Sequence, residues 1–368
     1  MNSKENVLVV LANDFMKIGG LRIPANRYMG FLREKYDVNE VLMGYHVYGY
    51  KNYKQWKRKL LSKIDKNTHA VIIFSGINQA YTTIKLINED ISPKLKKVFY
   101  IADSPYLYIK SHLELCKNDI DSLRKKIELS IKKIIYKYKE TYVLEKFDEI
   151  IYISPVDAEF VKETYKMIEA NISMISHATD AQQNYVLTKR INSSSFRIGF
   201  LTAISEQTYI ESIKHLVYKI MPPIVEKFPN TILLIVGKGS STKRVEEINK
   251  LKYVEYIDYI KNLDEFYNKI DIVVAPIRKR NGILNKALEA WGFGKCTVGY
   301  DYNFDAFIEA TEGTHYLSGR DSKEIAEKIL EIIIGNIDIS KIEKAAYELA
   351  KKNYNWINQK YKFMEIVN

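Results

Sequence analysis

The chain has 368 residues and a mass of 42.9 kDa, which is long for a single core and predicts two domains. Hydrophobic residues make up 46% and charged residues 27%, and this composition excludes a disordered or a collagen-like protein. The net charge of +11 favours anionic partners, namely nucleic acid, acidic lipid surfaces or phosphorylated small molecules. The two cysteines, Cys116 and Cys296, are too far apart for a zinc finger or a disulfide framework.

The N-terminal segment lacks the features of an export signal. Six apolar residues, Val7–Ala12, are followed by Asn13 and Asp14. This run is shorter than the core of a signal peptide and far shorter than a membrane span of about 20 residues. We therefore expect a cytoplasmic location, with peripheral association at the inner face of the membrane left open.

In the first half of the chain, short apolar runs alternate with helical patterns such as Ile23–Glu34 and Leu123–Lys139. The runs are Val7–Ala12, Val38–Met43, Ala70–Phe74, Val98–Ile101, Ile150–Ile153 and Ile172–Ile175. Apolar runs of this length between helices predict a parallel sheet with helices on both faces. The pattern weakens over 181–195, which contains Gln-Gln-Asn and Asn-Ser-Ser-Ser and is predicted to be a linker.

A second alternating series follows the linker. Its runs are Arg197–Leu201, Thr231–Val236, Val254–Ile257, Ile272–Ala275 and Cys296–Gly299. The fold class is therefore predicted as α/β, with two Rossmann-like, doubly wound parallel-sheet domains. We expect the domains to span 1–180 and 196–350, and a final helix over 351–368 to pack back on the first domain.

In open parallel sheets, ligands bind beyond the carboxyl ends of the strands. Gly19 and Gly20 follow the first strand, where either a plain turn or a phosphate or sugar contact would suit them. Gly237 and Lys238 follow the strand 232–236. Their spacing fits neither the dinucleotide fingerprint nor a P-loop, which disfavours hydride transfer and P-loop hydrolysis.

The most informative stretch runs from Ala275 to Val298. After a strand it has the basic run Arg278-Lys279-Arg280, and then Gly282-Ile283-Leu284, which are predicted to open a helix. The N-terminus of a helix favours a diphosphate, and Lys286 would add a full positive charge there. Glu289, three residues later, could accept both hydroxyls of a ribose; a surface Lys–Glu pair is the alternative interpretation.

This stretch resembles the donor-binding segment of GT-B glycosyltransferases, particularly those of the family 4 type. The family pattern Asn-Lys-x-x-Glu, followed by Gly-Lys-x-x-Val, matches Asn285, Lys286, Glu289, Gly294, Lys295 and Val298. Gly19-Gly20 and Ile198-Gly199-Phe200 also fall in the order of the family. The resemblance implies sugar transfer from a nucleotide-diphosphate donor, without a metal or other cofactor, and two domains that face each other across a cleft.

The resemblance also implies a set of site residues. Lys286 and Glu289 would serve catalysis, and the donor would contact Gly19, Gly20, Gly237, Lys238, Arg278, Gly282, Ile283, Leu284 and Asn285. The first domain would bind the acceptor and the second the donor. The sequence departs from the family pattern at Asn281, where many relatives carry a second Glu, and in Leu201–Tyr209, which contains neither Arg nor Lys.

In the first domain, Asp103 follows the strand Val98–Ile101 and is predicted to receive or orient the acceptor hydroxyl; helix N-capping is the alternative. His112 and His177 are further candidates, although ordinary polar roles suit them better. Asp119 and Asp121 resemble a metal-binding pair but precede a helix start, so that we expect capping there and no metal site.

Two basic segments, 51–66 and 121–140, combine lysines with an apolar stripe. Such segments suit an anionic membrane surface, and a helix whose stripe packs on its own sheet is the alternative. The 28 tyrosines are spread along the chain rather than grouped, so no nucleic acid partner is expected.

The resemblance, together with the positive charge of the chain, implies transfer of a sugar from a UDP-sugar to a glycan or a lipid-linked glycan in the synthesis of a surface polysaccharide such as capsule or lipopolysaccharide. Three alternatives stay open. They are a sugar-nucleotide epimerase of the same fold, a non-catalytic subunit that binds nucleotide sugars, and a protein that binds DNA or RNA.

Overall fold

The computed structural model describes residues 5–12, 21–43, 50–90, 95–115, 123–180, 195–202, 207–237 and 243–368. The contacts between Cα atoms divide the chain into two compact units. The first contains residues 1–177 and 356–368, and the second contains residues 178–355.

The first unit alternates strands and helices. Its strands are β1 (Asn6–Ala12), β2 (Asp37–Met43), β3 (Thr68–Phe74), β4 (Lys96–Ile101), β5 (Glu149–Tyr152) and β6 (Asn171–Met174). Its helices are α1 (Arg22–Lys35), α2 (Tyr50–Leu61), α3 (Ile77–Asp90), α4 (Pro105–Leu115), α5 (Leu123–Leu144) and α6 (Pro155–Thr164). The strands form one parallel sheet in the order β2-β1-β3-β4-β5-β6. Val7 to Ala12 are all buried, because both faces of this sheet are covered.

The second unit repeats this architecture. Its strands are β7 (Arg197–Leu201), β8 (Ile232–Val236), β9 (Val254–Ile257), β10 (Ile272–Val274), β11 (Thr297–Tyr300) and β12 (Leu317–Gly319). Its helices are α7 (Gln207–His215), α8 (Met221–Lys227), α9 (Lys243–Ile248), α10 (Leu263–Tyr267), α11 (Asn285–Gly292), α12 (Ser322–Ile334) and α13 (Ile339–Asn353), with a π-helical segment at Leu216–Ile220. The parallel strand order is β12-β11-β10-β7-β8-β9.

The final helix, α14 (Trp356–Val367), belongs to the first unit, where it contacts α1. Phe363 packs on Tyr28 with ring centroids 4.4 Å apart. The ammonium of Lys96 donates to the carbonyl of Ile366 over 2.6 Å. Aromatic packing and a hydrogen bond from a lysine side chain therefore tie the end of the chain to the first sheet.

The predicted fold class is confirmed: each unit is a parallel sheet flanked by helices. Each predicted apolar run overlaps a strand, with ends that differ by at most two residues. β12 was not predicted, because its sequence Leu-Ser-Gly contains no apolar run. The predicted helix start at Gly282–Leu284 was early, since α11 begins at Asn285.

The structure also decides between the two interpretations of the basic segment 51–66. Trp56 and Leu60 of α2 are buried in the core of the first unit, and Ile64 packs against the same core. The apolar stripe of this segment is therefore the inner face of α2. Of the two interpretations, the one in which the stripe packs on its own sheet therefore holds for this segment.

Candidate functional site

A pocket lies at the carboxyl end of the second sheet, at the point where the strand order reverses. β7 and β10 are neighbours there, and their connections run to opposite sides. The pocket has an empty volume of ≈ 580 Å³ and lies among the loop 277–284 after β10, the start of α11, Tyr209 of α7, and residues 302–306 after β11. Crevices at such reversal points are the usual ligand sites of doubly wound sheets.

Three cationic side chains line this pocket: Lys279, Arg280 and Lys286. The guanidinium of Arg280 lies 5.3 Å from the ring centroid of Tyr302, another lining residue. Several cations beside one concave surface produce a positive potential that attracts phosphate groups. The electrostatics of the pocket therefore suit an anionic ligand.

Lys286 lies in the first turn of α11, and its ammonium is 4.3 Å from the ring centroid of Tyr209. Gly282 has a φ of 71°, a left-handed conformation that favours glycine and turns the loop toward the helix. The residues that lead into α11, Ile283 and Leu284, also line the pocket, as does Asn285. The positive end of the helix dipole thus lies beside the same cavity.

Asn281 is a site residue that the sequence analysis noted only as a departure from the family pattern. It lines the pocket and is 3% exposed. Among the described residues, neither its amide oxygen nor its amide nitrogen has a hydrogen-bond partner. Buried amides are nearly always hydrogen-bonded, because an unmet one costs about 1–3 kcal/mol. The Asn281 amide is therefore suited to a polar ligand group.

A second buried asparagine, Asn303, lines the same pocket but is fully engaged. Its amide oxygen accepts from the backbone N–H groups of Ile277 and Tyr300 over 3.2 and 3.1 Å. Its amide nitrogen donates to the carbonyl of Ile277 over 2.6 Å. Asn303 therefore holds the loop after β10 against the loop after β11, and so it shapes the pocket.

Glu289 lies one turn beyond Lys286 on α11 and is half-buried. The hydroxyl of Tyr267 donates to one carboxylate oxygen of Glu289 over 2.7 Å, and the Tyr267 ring stacks on Phe293. Burial raises the pKa of the Glu289 carboxyl, while the Tyr267 hydrogen bond and the Lys286 charge lower it. The structure thus places Glu289 beside Lys286 with its orientation fixed by Tyr267.

Arg278 is not among the residues that line the pocket. Its guanidinium donates to Nε2 of His215 over 2.9 Å, and Nδ1 of His215 lies 2.8 Å from the hydroxyl of Tyr300. Because a guanidinium can only donate, Nε2 accepts and the imidazole proton is carried by Nδ1. Arg278 thus links the loop after β10 to α7 and β11.

Gly237 directly follows β8 and has a φ of 149°, and a Cβ there would lie 1.4 Å from the carbonyl oxygen of Thr202. Its position at the carboxyl edge of the sheet is therefore explained by the close approach of two backbone segments. Gly19, Gly20 and Lys238, which were predicted to contact the donor, lie outside the described residues, as do Asp119 and Asp121.

In the first unit, Asp103 follows β4 and precedes α4. The N-cap of this helix is Ser104, whose hydroxyl accepts from the backbone N–H of Leu107 over 3.1 Å. The backbone N–H of Ser104 in turn donates to the buried carboxylate of Asp157 over 2.7 Å. Ser104 therefore caps α4. His112 and His177 are both buried.

A buried acid, Glu140 of α5, lies near this group. The hydroxyl of Tyr165 donates to its carboxylate over 2.8 Å. Burial raises the pKa of the Glu140 carboxyl to about 8. The negative charges of Asp157 and Asp103 also raise this pKa, whereas hydrogen bonds from Ser104 and Tyr165 lower it. Glu140 is therefore largely protonated at neutral pH.

This raised pKa predicts a pH-dependent stability. The fold binds the Glu140 proton more tightly than the unfolded chain, whose Glu pKa is about 4.5. The contribution of protonated Glu140 to the free energy of unfolding is therefore fully present below about pH 4.5 and is lost as the pH rises to about 8. One pKa unit corresponds to about 1.4 kcal/mol, so wild type should lose a few kcal/mol relative to Glu140→Gln, whose amide stays neutral. Urea unfolding of both proteins at about pH 5 and about pH 9 measures this difference; parallel pH profiles would contradict it.

No group of three or more His, Cys, Asp and Glu side chains in the described part of the chain could hold a metal ion. No helix of the described residues has both the length and the apolar character needed to cross a bilayer.

Comparison with known proteins bears on the fold and on part of the second unit. Residues 195–334 match the family model described as "Glycosyl transferases group 1". No curated protein sequence matches the chain. The family match begins just before β7 and ends with α12, so it includes every residue that lines the pocket.

Solved structures are similar over nearly the whole chain. Sucrose-phosphate synthase from Thermosynechococcus elongatus is 12% identical with a TM-score of 0.75, and the alignment covers 99% of this chain and 98% of that one. Anabaena HepE, solved in complex with UDP and glucose, is 11% identical with a TM-score of 0.70 and 98% coverage of both chains. A glycosyltransferase from Rickettsia africae is 14% identical with a TM-score of 0.68 and 99% and 98% coverage.

These structures are GT-B glycosyltransferases, and the likeness shows that this chain has the same fold. The predicted resemblance is thereby confirmed, and the family match lies within the second unit, over residues 195–334.

Proposed function

We propose that this chain is a glycosyltransferase that moves a sugar from a UDP-sugar to a hydroxyl of a glycan or a lipid-linked glycan in the synthesis of a surface polysaccharide. The match of residues 195–334 to group 1 glycosyltransferases supports the reaction class. The observation that carries the proposal is the pocket at the start of α11, where three cations and the unpartnered Asn281 amide meet.

The cations act on the leaving group. When the acceptor oxygen bonds to the anomeric carbon, the bond between that carbon and the diphosphate oxygen breaks, and negative charge develops on the diphosphate. Lys286 lines the pocket in the first turn of α11, which supports a role for this ammonium and for the helix N-terminus in stabilising the charge. A cation fixed in advance stabilises the transition state more than the ground state, and so it accelerates transfer. The proposal requires no metal for this step.

The donor is held by two kinds of contact. Glu289, oriented by Tyr267, binds the ribose hydroxyls through its carboxylate. Asn281 hydrogen-bonds the hydroxyls of the transferred sugar, because its amide can both donate and accept. An amide lacks the negative charge of a nucleophilic carboxylate, so Asn281 recognises the sugar and does not form a bond to it.

The acceptor is assigned to the first unit. Asp103, which follows β4, takes the proton of the acceptor hydroxyl or orients that hydroxyl. In this assignment the proton moves from the acceptor to the Asp103 carboxylate as the new glycosidic bond forms.

The two asparagines of the pocket provide a matched test. In Asn281→Ala, affinity for UDP-glucose should fall about tenfold, because hydrogen bonds to the sugar are lost, while the thermal midpoint stays the same or rises slightly. In Asn303→Ala, the Ile277 carbonyl and the Tyr300 N–H lose their hydrogen bonds to the Asn303 amide. The thermal midpoint of this variant should therefore fall by about 5 °C or more. Calorimetry and thermal unfolding measure the two effects.

The opposite outcome, a destabilised Asn281→Ala with unchanged affinity for UDP-glucose, would remove Asn281 from the donor site.

The reaction products distinguish a glycosyltransferase from the alternative functions. Interconversion of the UDP-sugar without an acceptor would indicate an epimerase, and binding with neither hydrolysis nor transfer would indicate a non-catalytic subunit.

A further inference from the structure

The helix α5 has an apolar face that the first unit leaves uncovered. Its inner face packs against α3 and α4, with Tyr136 partly buried against the core and Glu140, Val143 and Leu144 buried. Its outer face carries Leu123, Ile127, Ile131, Ile134, Ile135 and Tyr138, which are between 45% and 75% exposed. Spacings of three and four residues place these six side chains on one side of the helix, opposite the core.

Single exposed apolar residues are ordinary in proteins and need no explanation, but a contiguous stripe is unusual. The other large exposed apolar side chains of the described residues, such as Met167 and Ile308, are distributed over many elements. The contrast with α2 is informative, because Trp56 and Leu60 of that helix are buried. Of the two basic segments, α5 is therefore the one with an apolar stripe open to a partner.

Basic residues border the outer face of α5 on both sides. The helix contains seven Lys and Arg residues against two Glu residues, one of which is the buried Glu140. With 100° per residue, Lys126 and Lys137 lie along one border of the stripe, and Lys132 and Lys139 along the other. An apolar stripe between two rows of lysines is the pattern of helices that lie in the surface of an anionic bilayer.

The charges also distinguish lipid from other partners. A second copy of this chain would bring the same lysines against each other, and the whole chain already carries a net charge of +11. Nucleic acid would engage the lysines but leave the isoleucines in water. An anionic lipid surface satisfies both, since its headgroups attract the lysines and its acyl boundary accepts the apolar side chains.

We propose that the outer face of α5 docks the protein on an anionic lipid bilayer. The docking goes beyond the transfer reaction, because it needs neither a nucleotide sugar nor the pocket of the second unit. It also fits a lipid-linked acceptor, which would be presented at the same surface.

The test is co-sedimentation of the full chain, without any nucleotide sugar, with vesicles. Wild type should sediment with vesicles of phosphatidylglycerol and phosphatidylcholine, less with phosphatidylcholine alone, and less at high salt. In Ile131→Ser combined with Ile134→Ser, binding to the anionic vesicles should fall about tenfold or more, because two apolar side chains no longer enter the bilayer. The matched control is Ile308→Ser, which removes an isoleucine that is 65% exposed in the second unit, and it should bind as wild type does.

Both substituted positions are exposed, so the thermal midpoint of the double variant should match that of wild type; this checks that the fold is intact. Equal vesicle binding by wild type and the folded double variant would overturn the proposal, as would absence of wild-type binding to anionic vesicles. Sedimentation velocity supplies a further outcome: a wild-type dimer that the double variant converts to a monomer would show that the stripe is a protein interface instead. Loss of vesicle binding with unchanged UDP affinity would leave the proposed transferase function untouched.

Discussion

Replacement of Lys286 by alanine is expected to lower the rate of UDP release from UDP-glucose by about 10²–10³-fold, equivalent to about 3–4 kcal/mol of transition-state stabilisation. The effect is large because Lys286 lines the pocket at the first turn of α11, where its ammonium and the helix N-terminus act on the same charge. Lys286→Arg retains the charge and should recover part of the rate. Steady-state kinetics of the three proteins measure this prediction.

The matched control for this substitution is Lys323→Ala. Lys323 lies in the second unit on α12, its side chain is 83% exposed, and it does not line the pocket. Loss of a lysine at that position should leave the rate unchanged. A Lys286→Ala enzyme that retains the wild-type rate would show that the leaving group is stabilised elsewhere.

The second large effect is expected in folding. Gly237→Ala places a Cβ about 1.4 Å from the carbonyl oxygen of Thr202, so the backbone must move. Two hydrogen bonds hold the backbone of Gly237 in place. Its N–H donates to the Ile257 carbonyl over 3.0 Å, and its carbonyl accepts from the Tyr256 hydroxyl over 2.6 Å. The free energy of unfolding should fall by about 4 kcal/mol or more, which a urea titration measures.

Gly313→Ala separates this clash from the ordinary cost of a left-handed residue. Gly313 also has a positive φ, of 77°, but an added Cβ there would meet no heavy atom within 4 Å. The cost should therefore be only about 1–2 kcal/mol. If the two substitutions proved equally destabilising, the close approach of Gly237 to Thr202 would not be the reason for glycine at this position.

The fold could be predicted because buried parallel strands leave a simple pattern. Val7–Ala12 and Ile232–Val236 are nearly uninterrupted apolar runs, since both faces of each sheet are covered. β12 was not predicted, because Leu317-Ser318-Gly319 contains no apolar run. This strand is recognised only by its backbone pairing with β11, which the side-chain types do not reveal.

The site was predictable in its position but not in its details. Lys286 and the loop before it could be assigned from the order of strand, basic loop and helix. Asn281 and Asn303 could not be distinguished, because their different roles depend on which backbone groups lie within reach of each amide. The same limit applies to amphipathic helices: the stripes of α2 and α5 have the same spacing, and only packing determines that Trp56 is buried and Ile134 is exposed.

The central claim is that the pocket at the start of α11 binds the diphosphate of a nucleotide sugar. Calorimetric titration with UDP and with uridine tests it most directly, in wild type and in Lys286→Ala. We expect wild type to bind UDP at least about tenfold more tightly than uridine, and Lys286→Ala to lose most of this difference while its affinity for uridine is unchanged. Equal affinity of wild type for UDP and uridine, or an undiminished preference for UDP in Lys286→Ala, would contradict the claim.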